Sequence, residues 1–227
     1  MRVFVAGATG VIGKRAVEQL VAAGHEVTAL ARSPEKAALV WSLGATPVAA
    51  SLFDPASLRA AVAGHDVVVN LATHIPSITG AAKPGAWKEN DRIRTEGSSN
   101  LVDAALAAGA SRYIQESIVF TYPDRGDSWI DAESTPIEPT PLIEAVQTAE
   151  GNAARFTEAG RTGVVLRFGA FYAPDASHTE AMVAAARKGV AFVAGKPEAY
   201  QSVIHGDDAA AAVVAALEAP AGIYDVV

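Results

Sequence analysis

The alternation of strand and helix along this chain limits its fold more than any other feature. Short apolar, β-branched runs are separated by longer helical patterns at a steady spacing. The run "RVFVAG" reads as a strand, followed by a helix over Val11–Ala23 that Gly24 ends. "HEVTALA", "TPVAA", "HDVVVNLA", "SRYIQES" and "GVVLRFGA" read as the next strands. Between them lie helices over about Pro34–Leu43, over Pro55–Ala63 with Asp54 as N-cap, over Trp87–Ala108, and over "PLIEAVQTAEGNAARFTEAG". Such succession means parallel strands joined by crossover helices, and apolar runs without polar alternation mean strands covered on both faces. The expectation is an α/β fold with a doubly wound parallel sheet of six to seven strands, in the order 3-2-1-4-5-6.

After residue 170 the spacing loosens. A helix over "HTEAMVAAARKG", short strands at "FVAG" and "SVIH", a helix over "DDAAAAVVAALEA" and a last strand at "GIYDVV" follow. The long loops "THIPSITGAAKPGA" and "YPDRGDSWIDAESTPIEPT" both follow strand C-terminal ends, where open α/β sheets hold their ligands.

Composition removes several classes. A chain of 227 residues with a 50% hydrophobic fraction is long enough to bury a sizeable core. Its formal charge of −7, from 25 acidic and 18 basic residues with no long basic run, argues against nucleic acid or an anionic membrane as partner. No apolar run reaches the roughly 18 residues needed to span a bilayer, and "MRVFVAGATG" lacks the apolar core of a signal peptide. With no cysteine, disulfides, thiolate zinc sites and cysteine nucleophiles are excluded, which suits a reducing cytoplasm.

The turn "VFVAGATGVIG" sets Gly7, Gly10 and Gly13 between the first strand and its helix. Gly7 permits the tight turn, Gly10 lets backbone approach a pyrophosphate, and Gly13 lets helix and strand pack closely. The free N–H groups of the helix start then face the phosphates, with Thr9, Val11 and Ile12 in the same turn. This is the dinucleotide-binding arrangement of the Rossmann fold. Cofactor choice falls at the end of the second strand, where an acid binds a ribose 2′-hydroxyl and a base accommodates a 2′-phosphate. "TALARSPEKA" offers Arg32 and Ser33 there and no acid before Glu35, so NADP is expected rather than NAD.

Further motifs, in order along the whole chain, resemble the extended or atypical branch of the short-chain dehydrogenase/reductase superfamily. "GATGVIG" resembles its glycine motif, "DVVVNLA" its fourth strand and "TEGSSNLVDAALAAG" its "GTxNLLxAA" helix. "LRFGAFYAP" resembles "LRPxxVYGP", with Ala173 at the glycine, and "VIHGDDAAAAVVAAL" resembles "xxHVDDVAxAxxxAL". "ASLFD" stands where the branch has "GDLxD", with Ser51 at the first aspartate. The resemblance implies that Ser51 and Leu52, and then Leu71, Ala72 and Thr73, join the cofactor site. It implies one Rossmann domain over 1–227: a nucleotide-binding core over 1–170 and a partial substrate-side lobe over 171–227. Sugar-nucleotide epimerases, dehydratases and the redox-sensing NmrA-like proteins continue past "GIYDVV" with a further lobe. In relatives, the helices corresponding to Trp87–Ala108 and Pro141–Ala159 often pair in a four-helix interface, and both are alanine-rich here, so a homodimer is an expectation.

The resemblance also implies a catalytic set of Asn, Ser, Tyr and Lys, in which Tyr moves a proton to or from the substrate oxygen, Lys lowers the Tyr pKa and Ser polarises the oxygen. Here Ser117 matches the serine, the asparagine position falls on Arg94, and Tyr and Lys fall on Leu142 and Val146. No Tyr or Lys lies anywhere between Pro141 and Gly160. Leu142, Val146, Ala149, Ala153 and Phe156 recur at helical steps as an apolar stripe, so packing accounts for them. Candidates for substitute chemistry follow strands four and five: Ser117, Tyr122 and Arg94 first, with Asp124, Glu116, His74 and Lys88 beside them. His205, Asp207 and Asp208 do not suffice for a metal site, and Asp207 or Asp208 reads as an N-cap. Two readings stand. One is an NADP(H)-dependent oxidoreductase or epimerase-like enzyme with a non-standard site acting on a small molecule. The other is a non-catalytic NADP(H)-binding redox sensor or partner-binding protein of the NmrA-like type.

Overall fold

The computed structural model describes residues 1–76, 80–81, 83–138, 143–191 and 199–227. In chain order the elements are β1 Arg2–Ala6, α1 Val11–Ala22, β2 Glu26–Leu30, α2 Pro34–Ser42, β3 Thr46–Val48, α3 Pro55–Val62 and β4 Val67–Asn70. Then come α4 Lys88–Arg92, a π-helical turn Ile93–Gly97, α5 Ser98–Ala107, β5 Arg112–Ile118 and a 3-10 turn Val119–Thr121. The rest are α6 Glu144–Glu158, β6 Thr162–Phe168, β7 Ala170–Tyr172, α7 Ser177–Ala186, β8 Val203–His205, α8 Gly206–Ala215 and β9 Gly222–Val226.

The sheet has seven strands in the order β3-β2-β1-β4-β5-β6-β9. Every pairing is parallel. The expected doubly wound sheet is therefore present, with "GIYDVV" as the seventh strand against β6. Because the strands are covered on both faces, their side chains sort into two cores. Val3, Val5, Val69 and Ile114 pack with Val17 and Leu20 of α1 and Val213 of α8. Phe4, Val68 and Tyr113 pack with Leu58 of α3, Leu101 of α5 and Phe156 of α6. Burying one such large side chain stabilises by about 1.5–3 kcal/mol.

Local signals explain most element ends. Asp54 caps α3 through hydrogen bonds from the N–H groups of Ala56 (3.0 Å) and Ser57 (3.3 Å). The apolar stripe of α6 is buried at Val146, Ala149, Ala153 and Phe156, as its spacing requires. Leu142 and the expected strand "FVAG" lie outside the described residues. Two expectations change. The helix read over Trp87–Ala108 carries the π-helical turn in its middle. The N-cap of α8 is His205, whose Nδ1 accepts from the Asp207 N–H at 3.3 Å, while Asp207 and Asp208 sit in the first turn. Asp207 instead pairs with Arg15 of α1 at 2.7 Å, which ties α8 to α1.

Close packing of α1 on the sheet depends on Gly13, since a Cβ there would stand 2.0 Å from the Gly7 carbonyl oxygen. Gly13→Ala is therefore expected to destabilise by at least the roughly 1–3 kcal/mol of an overpacked core, a drop of several degrees in thermal midpoint. Calorimetry that finds an unchanged midpoint would show that α1 is not held this closely.

Candidate functional site

The site forms where β1 and β4 end side by side. Gly7 has φ +86°, and a Cβ on it would lie 2.4 Å from the Leu71 carbonyl carbon, so only glycine lets the two chains pass. The Gly10 N–H returns to the Gly7 carbonyl at 3.1 Å and closes the turn. Gly10 is the N-cap of α1 and supplies no side-chain partner, so first-turn N–H groups remain for an anion.

A cleft of about 220 Å³ opens over this turn. Gly7, Thr9 and Gly10 line it, as do Arg32, Ser51 and Leu52, and the run Leu71, Ala72 and Thr73. Of the other expected cofactor residues, Val11, Ile12 and Gly13 form the first turn of α1 behind the cleft, with Ile12 and Gly13 buried. Ser33 is the N-cap of α2 and accepts from the Lys36 N–H at 3.3 Å. The Ser33 hydroxyl also holds the Glu35 carboxyl below its ordinary pKa. His74, a candidate for substitute chemistry, also lines it, and residues not singled out in the sequence complete the lining: Ala6, Leu30, Lys36, Phe53 and Ile93. Lys36 sits in the first turn of α2, three residues after the N-cap Ser33, so the cap signal placed it beside Arg32 at the helix start. Phe53 carries the Arg92 guanidinium 3.8 Å above its ring, and Arg92 in turn pairs with Glu96 at 2.8 Å.

The groups beyond the cleft, at the ends of β5, β6 and β9, are already engaged with one another. Ser117 is fully buried, and its hydroxyl donates to Glu150 Oε1 at 2.5 Å. Glu150 takes a two-point pair from Arg167, at 2.8 Å from Nε and 2.7 Å from Nη2. Arg167 Nη1 donates to the Tyr122 hydroxyl at 2.7 Å, and Tyr122 donates to Asp225 Oδ1 at 2.7 Å. Burial, with the Asp225 carboxylate adding to it, pushes Tyr122 up to about 12. Burial likewise raises the Asp225 carboxyl. Arg94 belongs to a different cluster: its Nη2 donates to Glu116 at 2.9 Å, with both side chains buried. Burial raises the Glu116 carboxyl against the pull of Arg94. The structure thus joins Ser117 and Tyr122 in one network and sets Arg94 in another. His74 lines the cleft, and Asp124 is turned back on its own loop by the Gly126 N–H at 2.9 Å. Among the described residues no three His, Asp or Glu side chains could hold a metal ion. No helix among them is long and apolar enough to cross a membrane.

A glycine turn over a parallel sheet, with a cleft at the point where strand order reverses, defines a dinucleotide-binding protein. The chain belongs to the NAD(P)H-binding family, whose model matches residues 7–220. It is 37% identical over 233 residues to a 3-diazoavenalumate denitrifying reductase from a Streptomyces species, covering 97% of this chain and 73% of the relative. It is 28% identical over 235 residues to the 2-alkyl-3-oxoalkanoate reductase of Shewanella oneidensis, covering 95% of this chain and 57% of that protein. In fold it matches the Thermus thermophilus UDP-glucose 4-epimerase complexed with NAD, with a TM-score of 0.78 at 23% identity over 100% of this chain and 77% of that one. It also matches the UDP-N-acetylglucosamine 4-epimerase of Bacillus cereus, with a TM-score of 0.80 at 19% identity over 100% of this chain and 75% of that one.

The Tyr122 environment is open to direct measurement. In a spectrophotometric titration, the phenolate signal lost in Tyr122→Phe is expected to emerge only at about pH 12. A signal near the ordinary tyrosine value of about 10 would show that the phenol is not held between Arg167 and Asp225.

Proposed function

We propose that this protein is an NADPH-dependent reductase whose substrate accepts hydride without a side-chain proton donor. One observation carries the reading: a complete dinucleotide cleft stands beside a substrate end whose hydroxyls are already committed. Ser117 donates to Glu150 and Tyr122 to Asp225, and the lysine position of the superfamily is the buried, apolar Val146. On this reading the turn Gly7–Gly13 and the start of α1 hold the pyrophosphate. Ser51, Leu52 and Phe53 flank the adenine. Arg32 and Lys36 receive the 2′-phosphate, with Ser33 holding the start of α2 beneath them. NADPH, when bound, supplies the hydride. Ser117 and Tyr122 act as positioning residues that hold the ends of β5 and β6.

An acceptor suited to such a site drives the reaction through its own leaving group. A diazonium carbon is one such acceptor: hydride forms a C–H bond as the C–N bond breaks, and dinitrogen leaves with the bonding pair. No proton has to be delivered. The reductase character of the Streptomyces relative, named for a diazo compound, supports this choice. Positioning alone then supplies most of the rate. The same committed hydroxyls also favour a second reading, an NADP(H)-binding sensor without turnover. Both readings take the chain as cytoplasmic, and as a homodimer across α5 and α6 that light scattering would detect.

Cofactor titration and turnover test the proposal together. NADPH is expected to bind more tightly than NADH. Arg32→Ala or Lys36→Ala should weaken NADPH about tenfold to a hundredfold, the worth of one charge-assisted hydrogen bond of roughly 1.5–3 kcal/mol, and leave NADH unchanged. Equal affinities in the wild type would overturn the NADP assignment. NADPH oxidation should be faster with diazo and other activated electrophiles than with simple ketones, which lack the roughly 10²- to 10⁴-fold help of a general acid. Rapid reduction of simple ketones would overturn the mechanism, and tight NADPH binding with no turnover on any acceptor would favour the sensor.

A further inference from the structure

Among the described residues, Arg94 is a buried cation with most of its hydrogen-bonding capacity unused. Its side chain is only 2% exposed, yet only its Nη2 is hydrogen-bonded. Nε and Nη1 are buried without a hydrogen-bond partner, while both Glu116 carboxylate oxygens lie 2.9 Å from Nη2. Leaving a buried donor unpaired costs about 1–3 kcal/mol, more on a charged group, so a native structure retains one only for a reason. Arg167, the neighbouring buried arginine, makes the contrast: its Nε, Nη1 and Nη2 are all hydrogen-bonded, to Glu150 and Tyr122. A pair built only for stability would be expected to use two nitrogens, as Arg167 does.

The backbone around Arg94 is special too. It lies on the π-helical turn Ile93–Gly97, an irregularity that tends to occur at functional positions. The turn is pinned rather than loose. Ser98 Oγ donates to the Arg94 carbonyl at 2.5 Å, and Asn152 of α6 donates to that same Oγ at 2.7 Å. The adjacent Ile93 lines the nucleotide cleft together with His74. The His74 N–H donates to Asn90 Oδ1 at 3.1 Å, which ties the segment after β4 to the helix leading into the turn. In the strand order, Arg32 after β2 and Glu116 on β5, which holds Arg94, lie on either side of the β1–β4 crevice. A dinucleotide whose adenine half lies by Arg32 and that crosses this crevice therefore directs its nicotinamide half toward β5 and Arg94.

We propose that Arg94 is a cofactor-binding residue whose Nε and Nη1 donate to oxygen acceptors on the nicotinamide riboside half of NADP(H). The inference rests on the NADP(H) reading above. Both donors are closed to solvent, so the acceptor arrives with a group that enters this end of the cleft and shifts Ile93 and the π-helical turn. Glu116 keeps the guanidinium in place before and after that shift. The arginine would thus bring from the helix after β4 a cation that α6, with Val146, lacks.

The test divides the cofactor into halves. Affinities for NADPH and for adenosine 2′,5′-bisphosphate, which lacks the nicotinamide riboside, are measured by calorimetry in wild type and in Arg94→Lys. Lysine keeps a charge facing Glu116 but removes the Nε and Nη1 donors. The expected result is an NADPH affinity lower by about tenfold to a hundredfold and an unchanged affinity for the bisphosphate. Should Arg94→Lys not fold, the double variant Arg94→Met with Glu116→Leu removes both charges together and is expected to give the same split. Hydrogen exchange adds a readout on the wild type, where amides of residues 93–98 should change protection with NADPH but not with the bisphosphate. Equal losses for both ligands, or none, would make Arg94 structural and overturn this proposal alone. Wild type that binds neither ligand would overturn the NADP(H) reading and this inference with it.

Discussion

The near-contact of two backbones at Gly7 and Leu71 is the constraint on which the rest of the site depends. β1 and β4 are neighbours in the sheet, paired through Ala6 and Asn70, and the Leu71 N–H donates to the Ala6 carbonyl at 2.9 Å. Strand order reverses between them, which is where an open α/β sheet leaves its crevice. One added carbon at residue 7 would collide with Leu71 and Ala72, so the exits of both strands would have to separate. The same omission at Gly13 lets α1 descend until its first turn lies against the Gly7 carbonyl. Two absent Cβ atoms therefore set the width of the cleft and the aim of the helix start. Arg32, Ser51, Leu71 and Ile93 line what those atoms leave open.

Beyond the cleft the structure is held by charge rather than by the absence of atoms. Glu150 on α6, Arg167 on β6, Tyr122 after β5 and Asp225 on β9 form a continuous polar chain across three strands and a helix. Breaking a buried ion pair by removing one partner costs about 3–5 kcal/mol, so each member holds the others in place. This explains the position of Ser117. Its hydroxyl is drawn onto the Glu150 carboxylate within this chain, and Val146 on the same helix is buried as packing.

Much of the fold was legible because it follows from local pattern. Parallel strands read as unbroken apolar runs, the glycine turn has a fixed spacing, and Asp54 before Pro55 marks a helix start. The π-helical turn was hidden because Ile93–Gly97 continues a helical composition, and the extra residue in the turn is a matter of backbone geometry. His205 rather than an aspartate caps α8 because Asp207 is drawn away to Arg15, on a helix far away in sequence. Ser117 and Tyr122 were legible as polar residues at and after the end of β5, and Arg94 from its place ahead of the "EGSSNL" helix motif. Their partners were not, since the Tyr122–Asp225 bond joins residues 103 apart and the Arg94–Glu116 pair joins residues 22 apart. His74 was legible only as a residue following β4, while Phe53 had no periodic signal and reaches the cleft through the way the chain leaves β3.

The chain's charge of −7 need not repel an anionic dinucleotide. At physiological ionic strength charges are screened over about 8 Å, so a ligand in the cleft senses its immediate walls more than the whole surface. Those walls present Arg32, Lys36 and the start of α1, and Arg92 stacks on Phe53. The acidic residues closest in sequence are turned to other work: Glu35 toward the Ser33 hydroxyl, Asp54 into a helix cap, Glu96 onto Arg92. A cleft that gathers cations at its walls, with its nearby acids paired elsewhere, is suited to an anionic dinucleotide despite the net charge of the chain.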